Sequence, residues 1–188
     1  GRLLKNIGGA CRNARESGDL VDVWDLAGLR SDEVRHSALL AWAVDPRSTH
    51  GLGRAILEAI WSRAVSYRDR AGIGVPAHTL MNVSSARAVH KELVPLSHQA
   101  RRVDLCIDGD EMVVIVEVKI YAPEGDRQLQ EYLEVAKARA AALQHGEHWA
   151  VLLVSDRKPS LIDPRLVHIT WRDVSAAIRD VVACRSPS

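Results

Sequence analysis

The chain has 188 residues, of which 47% are hydrophobic and 26% charged, and its formal net charge is +1. This length and composition are enough for one buried core, so we expect a single domain at residues 31–188 after a weakly patterned segment, residues 1–30. No apolar run approaches the length of a membrane-spanning helix, and we expect no membrane partner. The near-neutral charge argues against binding of nucleic acid through bulk positive charge alone.

The first part of the patterned region predicts two helices. Ser31 or Asp32 can cap the first helix, and Asp45-Pro46 ends it, because the residue before a proline avoids the helical conformation. The second helix shows an amphipathic pattern of apolar residues. The predicted elements here are a helix at residues 32–44, a loop at 47–52, a helix at 53–67 and a loop at 71–77.

The second part predicts a sheet with further helices. Strands are predicted at residues 88–95, 102–108, 111–120, 148–155 and 167–170, and helices at 126–143 and 171–183. The second and third strands are close enough in sequence to form an antiparallel hairpin. The order of elements therefore predicts an α/β fold of the α+β kind, in which helices flank a mixed central sheet.

The hairpin brings charged residues to one face of this sheet. A two-residue turn at residues 109–110 would place Asp104 opposite Ile115. Because side chains alternate along a strand, Asp104 then shares a face with Glu117 and Lys119, and the two carboxylates are diagonal neighbours. Such a pair of carboxylates can hold a divalent metal beside a phosphate.

The strand that carries Glu117 is apolar on both of its alternating faces, as in a central strand of a sheet. A charged residue in such a strand is costly unless it is paired, hydrogen-bonded or bound to a metal. Two interpretations stay open from these residues alone. Glu117 and Lys119 either form an ordinary ion pair at a strand end, with Asp104 a surface acid, or they belong to a metal site.

A wider pattern extends this hairpin in both directions. After Glu117-Val118-Lys119 comes a helix that opens with Gln128, and upstream lie the segments EVRHSALLAWAVDP at residues 33–46 and HGLG at residues 50–53. Together these segments resemble the PD-(D/E)XK nuclease superfamily, and the upstream ones resemble the N-terminal helix of one bacterial branch of it. The resemblance covers about residues 31–135, and Val103 stands where the superfamily usually has a proline.

The resemblance implies a restriction-endonuclease-like fold and a nuclease that depends on Mg²⁺, with Mn²⁺ able to substitute. Asp104, Glu117 and the Val118 carbonyl would be metal ligands. Glu33 would be either a further ligand, as acids at this position often are in the resembling branch, or a first-turn acid that only interacts with the helix dipole. Lys119 would orient the attacking water or stabilise charge on the phosphate. Burial and a neighbouring cation would both lower the pKa of Lys119.

Other residues are candidates for contact with the substrate. His36 lies one turn after Glu33 and can contact a phosphate or pack, with packing favoured. Gln128 can bond a phosphate or the region of Lys119. Tyr132, one turn after Gln128, is a lesser candidate, because core packing explains it as well. Arg102 belongs to a stretch of positive charge that is either a phosphate-binding groove or solvated surface.

DNA is the expected substrate, with RNA as the alternative, and sequence specificity would have to come from loops or from a homodimer. A second class of function is a non-catalytic module that keeps the nuclease fold to bind nucleic acid or protein. The complete set of Asp104, Glu117 and Lys119 favours the enzyme. Three cysteines without metal-ligand spacing indicate a reducing, cytoplasmic setting. The tryptophans at positions 42, 61, 149 and 171 are expected in the core rather than as base-stacking platforms.

Overall fold

The structure is a computed structural model that describes residues 32–70, 82–93, 102–120 and 126–184. All of these residues except Asp32 belong to one compact unit, Glu33–Ser188. The helices are α1 (Glu33–Val44), α2 (Gly53–Arg70), α3 (Asp126–Ala142) and α4 (Trp171–Ala183). The strands are β1 (Ala86–Leu93), β2 (Val103–Gly109), β3 (Val113–Val118), β4 (Trp149–Val154) and β5 (Leu166–Ile169), and a short 3-10 turn (Val83–Ser85) precedes β1.

The predicted α/β fold is confirmed, because the five strands form one mixed sheet in the order β1-β2-β3-β4-β5 with helices on both faces. Strands β1, β2 and β3 are antiparallel neighbours, whereas β3, β4 and β5 are parallel. The predicted loop at residues 71–77 and the last two residues of the first predicted strand lie outside the described residues. The carboxyl ends of β3, β4 and β5 meet at one edge of the sheet, together with the start of β2.

The sheet separates two apolar cores. Helices α1, α2 and α4 cover one face, which receives Val114, Val116 and Val118 from β3. Helix α3 covers the other face, which receives Val113 and Ile115. Every residue of β3 is buried, as expected for a central strand whose sequence is apolar on both faces.

The hairpin turn differs from the prediction by one residue. The N–H of Gly109 donates to the Met112 carbonyl at 2.9 Å, so the turn residues are Asp110 and Glu111 rather than residues 109–110. A Cβ on Gly109 would lie 2.8 Å from Ser85 Oγ, so this glycine is needed where β2 passes the start of β1, not in the turn.

The change of turn moves the pairing of the hairpin by two positions. Leu105 pairs with Val116, and continuing this register places Asp104 directly opposite Glu117 rather than diagonal to it. A shift of two residues preserves which face each side chain occupies. The predicted shared face of Asp104 and Glu117 therefore stands, and the two carboxylates lie closer than expected.

One tryptophan lies outside the core, contrary to expectation. Trp61 and Trp149 are buried, but the side chain of Trp42 is 53% exposed. Trp42 lies on the outer face of α1, where its ring meets the edge of His50 with ring centroids 4.5 Å apart. The helix turns its core face toward Leu40, Ala41 and Val44, which leaves Trp42 on the opposite side.

Candidate active site

The candidate site lies at the sheet edge where β3 ends. Glu117 is the penultimate residue of β3, and Lys119 follows the strand. Asp104 is brought beside them because β2 runs antiparallel to β3 and begins at the same edge. Glu33 arrives from the first turn of α1 and Gln128 from the first turn of α3. The structure thus brings together all five residues predicted as catalytic.

Asp104 is held by the backbone of the neighbouring strand. Its Oδ2 atom accepts a hydrogen bond of 2.9 Å from the N–H of Val118, beyond the last paired residues of the β2–β3 ladder. Burial raises the pKa of Asp104 and the charge of Glu33 adds to this, while the Val118 N–H and Lys119 oppose it. The net pKa is above its ordinary value, so the ionised carboxylate is short of compensating charge.

Glu117 is the most deeply buried charged residue of the site, with 1% of its surface exposed. Its Oε1 atom accepts hydrogen bonds from Lys119 Nζ at 2.7 Å and from Gln128 Nε2 at 2.9 Å. Its Oε2 atom is buried and has no hydrogen-bond partner in the part of the chain that the structure describes. A buried carboxylate oxygen without a partner is unfavourable, and a cation bound at this position would compensate its charge.

The electrostatics of Glu117 lead to the same conclusion. Burial raises its pKa to about 7, and the neighbouring charge of Asp104 contributes, although Lys119 and Tyr132 oppose the shift. When two buried carboxylates face each other, ionising both of them is unfavourable in free energy, because each charge is poorly solvated and repels the other. A bound cation would reverse the effect of burial and repulsion on both groups.

Lys119 departs from the expected lowering of its pKa. Burial alone would lower the pKa, but the hydrogen bond and charge of Glu117, together with Glu33 and Asp104, raise it above the ordinary value. The site in this structure holds three acids and a single lysine, so attraction outweighs burial. Lys119 therefore carries its positive charge at neutral pH.

Glu33 reaches the site although it precedes Asp104 by about seventy residues. Its Oε1 atom accepts the N–H of Ile120 at 3.1 Å, and its Oε2 atom lies 3.8 Å from Lys119 Nζ. Glu33 and Glu117 thus flank one ammonium group, whose Nζ atom lies 3.8 Å from Glu33 Oε2 and 2.7 Å from Glu117 Oε1. Their oxygens are closer than the roughly 8 Å that two metal ligands can span through a water.

Gln128 and Tyr132 act on Glu117 rather than on the open side of the site. The Nε2 group of Gln128 donates to Glu117 Oε1 and, at 2.8 Å, to the hydroxyl oxygen of Tyr132. Tyr132 is 3% exposed and belongs to the core between α3 and the sheet. These two residues hold Glu117 in place, and core packing is the arrangement found for Tyr132.

His36 packs, as the favoured alternative expected. Its ring meets the edge of the Trp171 ring at 5.5 Å between centroids. Trp171 in turn donates its indole N–H to the carbonyl of Lys119 at 3.1 Å. Trp171 was expected in the core and not at the site. The available signal was topological: Trp171 begins the helix after β5, and parallel strands bring such residues to one sheet edge.

A cleft of about 350 Å³ opens beside Asp104. Its lining residues come from α1, β1 and the approach to β2, and they are Val34, Ser37, Ala38, Lys91, Arg102 and Asp104. The predicted candidate Arg102 is therefore adjacent to the carboxylates. Lys91 was not among the predicted site residues, and its pairing with Leu105 of β2 brings it here. Two cationic side chains next to Asp104 suit a phosphate.

A divalent ion fits the residues present. Mg²⁺ is commonly held by one or two carboxylates together with waters and substrate oxygens, so a full protein cage is not required. Among the described residues, no group of three or more His, Cys, Asp or Glu side chains could hold an ion by itself as arranged here, so waters and substrate oxygens would have to complete the coordination. The pair of Asp104 and Glu117, with the unpartnered Oε2 atom, supplies the hard oxygen ligands that such an ion prefers.

Comparison with known proteins agrees with this geometry. A sequence model of the PD-(D/E)XK nuclease superfamily matches residues 21–185, which is most of the chain, so the protein belongs to this superfamily. Searches of curated proteins and of solved structures gave no significant match. Among the described helices, none is long and apolar enough to cross a membrane.

Proposed function

We propose that the protein is a metal-dependent nuclease that hydrolyses phosphodiester bonds in DNA. The observation that carries the proposal is the buried, unpartnered Oε2 atom of Glu117, opposite Asp104 and beside the Lys119 ammonium group. Membership of a nuclease superfamily supports the reaction class. The set of two acids and a lysine is complete, whereas a binding module without activity would have no need to maintain a charged group in so buried a position.

The proposed ion is Mg²⁺, with Mn²⁺ able to substitute. Asp104 and Glu117 would hold it with the Val118 carbonyl, and Glu33 would add its Oε2 atom. When bound, such an ion polarises the scissile phosphate and lowers the pKa of the attacking water.

The remaining residues of the site have separate proposed roles. Lys119 stabilises the negative charge that develops on the reacting phosphate, because its ammonium group is held next to the carboxylates by Glu117. Gln128 keeps Glu117 in its orientation by hydrogen bonding, and the hydroxyl of Tyr132 holds the amide of Gln128. None of these groups needs to move to act, since each is already held by a neighbour.

The cleft beside Asp104 is the proposed entrance for the nucleic acid strand. Lys91 and Arg102 would bind phosphates on either side of the one that is cleaved. Local placement of two cations suits a protein whose net charge is only +1. We also propose a reducing, cytoplasmic setting, which the free thiols of Cys106 and Cys184 support.

The proposal is tested by incubating the purified protein with plasmid DNA, single-stranded DNA and RNA, each with Mg²⁺ and with a chelator. Cleavage of DNA that needs the ion is expected. Cleavage of RNA alone would change the substrate class but keep the mechanism. Cleavage that continues in chelator would contradict it, and binding of DNA without cleavage under any condition would favour the non-catalytic module.

A further inference from the structure

The peptide group between Lys119 and Ile120 is held at both of its ends by side chains from outside the sheet. Its carbonyl accepts the indole N–H of Trp171 at 3.1 Å, and its N–H donates to Glu33 Oε1 at 3.1 Å. In a trans peptide the C=O and N–H point in opposite directions. Side chains of helix α4 and helix α1 therefore hydrogen-bond to one peptide group from opposite sides.

The two partners of this peptide group are also linked through α1. His36 lies one turn after Glu33, and its ring meets the edge of Trp171. Glu33, the peptide group, Trp171 and His36 thus form a closed ring of contacts, which we call the peptide clamp. Loss of one member should loosen the others, because each is positioned by two neighbours.

Trp171 is a firm anchor for the clamp. Its backbone N–H donates to Asp156 Oδ1 at 3.0 Å. It is the first residue of α4, and Thr170 caps that helix by accepting the N–H of Asp173 at 3.2 Å. The indole is therefore fixed from both the loop before β5 and the start of α4.

The clamp acts where the sheet no longer holds the chain on both sides. Strand β3 ends at Val118, and Lys119 keeps a ladder bond only toward β4, from its N–H to the Val154 carbonyl at 2.9 Å. With the Trp171 bond, both backbone polar groups of Lys119 are engaged. A residue just past a strand end would otherwise sample several conformations and spread its ammonium group over a wide volume.

We propose that Trp171 is a positioning residue that fixes the Lys119 ammonium group beside Glu117 through the peptide clamp. This inference rests on the proposed function for its consequence in catalysis, but the clamp itself can be measured without any substrate. A displacement of a reacting group by about 1 Å can reduce a rate by about a hundredfold, so a modest loosening is expected to be visible.

The first test is hydrogen exchange of the Ile120 amide, followed by NMR in the intact protein. Trp171→Phe keeps an aromatic ring but removes the N–H donor, and it leaves the bond from Ile120 to Glu33 in place. We expect exchange at Ile120 to become at least about tenfold faster, while amides in the middle of β3 and β4 change less than about twofold. The matched control is Trp149→Phe, at the opposite end of β4, which should leave Ile120 unchanged.

Two results would overturn the clamp. One is an unchanged exchange rate at Ile120, and the other is an equal acceleration throughout β3 and β4, which would show that Trp171 only stabilises the fold. If Trp171→Phe does not fold, β-(3-benzothienyl)alanine at position 171 gives the same test, because this residue keeps the shape of the indole and lacks its N–H. The same exchange criteria then apply.

The second test measures the consequence for catalysis. Trp171→Phe should reduce kcat about tenfold and change KM and the affinity for Mn²⁺ less than about twofold, because the ammonium group acts on the reacting phosphate and not on binding. Equal changes in kcat and KM would contradict a positioning role. If the wild-type protein cleaves no nucleic acid, the proposed function fails, while the exchange experiment still decides whether the clamp exists.

Discussion

Asp104 and Glu117 face each other across the open end of the β2–β3 hairpin, and burial together with the charge of Asp104 raises the pKa of Glu117 to about 7. Without a cation, ionisation of both carboxylates is therefore electrostatically unfavourable. Its two raised pKa values give the site a measurable signature that does not depend on finding the substrate.

The first prediction concerns stability and pH. Between the ordinary pKa of Glu117, 4.5, and its folded value of about 7, the folded protein binds more protons than the unfolded chain. The free energy of unfolding should therefore fall as the pH rises from about 5 to 7.5, by an amount on the order of 2–3 kcal/mol. Glu117→Gln, which cannot titrate, should remove the part of this fall that Glu117 contributes, and the raised pKa of Asp104 accounts for the fall that remains in the variant.

Denaturant unfolding of both proteins across that pH range makes the comparison. Asp45 and Asp108 have lowered pKa values, so the stability they contribute is present above their ordinary 3.8 and lost only below it, outside the range used. Lys119 has a raised pKa, and its contribution is constant until the pH exceeds 10.5. If the free energy of unfolding of the wild type rises with pH over this range, while that of Glu117→Gln does not, the pKa of Glu117 is not raised.

The second prediction concerns Lys119. Lys119→Ala should reduce cleavage by at least about a hundredfold, because it removes the charge that stabilises the reacting phosphate. Binding of Mn²⁺ should not weaken, since the variant also removes a positive charge that competes for Glu117. The control is Lys137→Ala, an exposed lysine of α3, which should cleave like the wild type. Equal activity of the two variants would exclude Lys119 from the mechanism.

The third prediction separates two roles of Glu33. Glu33→Gln keeps an oxygen that can accept the Ile120 N–H but loses the charge offered to an ion. We expect weaker binding of Mn²⁺, by about tenfold, and a change in the free energy of unfolding below about 1 kcal/mol without metal. Thermal melts with and without Mn²⁺ measure both. Unchanged metal affinity would leave Glu33 as a group that only holds the backbone.

The fourth prediction concerns the cleft. Lys91→Ala should weaken binding of DNA about fivefold to tenfold and reduce the slope of log affinity against log salt by about one unit, as expected for one lost phosphate contact. The matched control is Arg87→Ala, an exposed cation on the same strand that pairs with Asp110. If both variants lose the same affinity, the effect is general charge and the cleft is not the entrance. Fluorescence anisotropy in Ca²⁺ at several salt concentrations gives these values.

The sequence was sufficient for features that depend on local patterns. Alternation along β2 and β3 placed Asp104, Glu117 and Lys119 on one face. This prediction held although the predicted turn was wrong, because the pairing of the two strands shifted by two residues, an even number. The direct pairing of Asp104 with Glu117 could not be predicted. It follows from the turn at Asp110 and Glu111, one residue later than the turn that the sequence favours.

Contacts between distant parts of the chain were the least predictable. Trp171 lies 52 residues after Lys119, and only the parallel order of β3, β4 and β5 brings it to the same sheet edge. The exposure of Trp42 was also missed, since its apolar neighbours on α1 suggested burial and the direction of the helix face was unknown. In both cases the packing of whole elements, and not the local sequence, decides where the side chain lies.

The most direct test of the central claim is anomalous diffraction from crystals soaked in Mn²⁺, for the wild type and for Asp104→Ala. We expect one strong peak in the wild type within about 2.5 Å of an oxygen of Asp104 and of Glu117, and no peak there in the variant. A wild-type site that stays empty at millimolar Mn²⁺, or a peak that persists without the Asp104 carboxylate, would contradict the claim that this carboxylate pair is the metal centre.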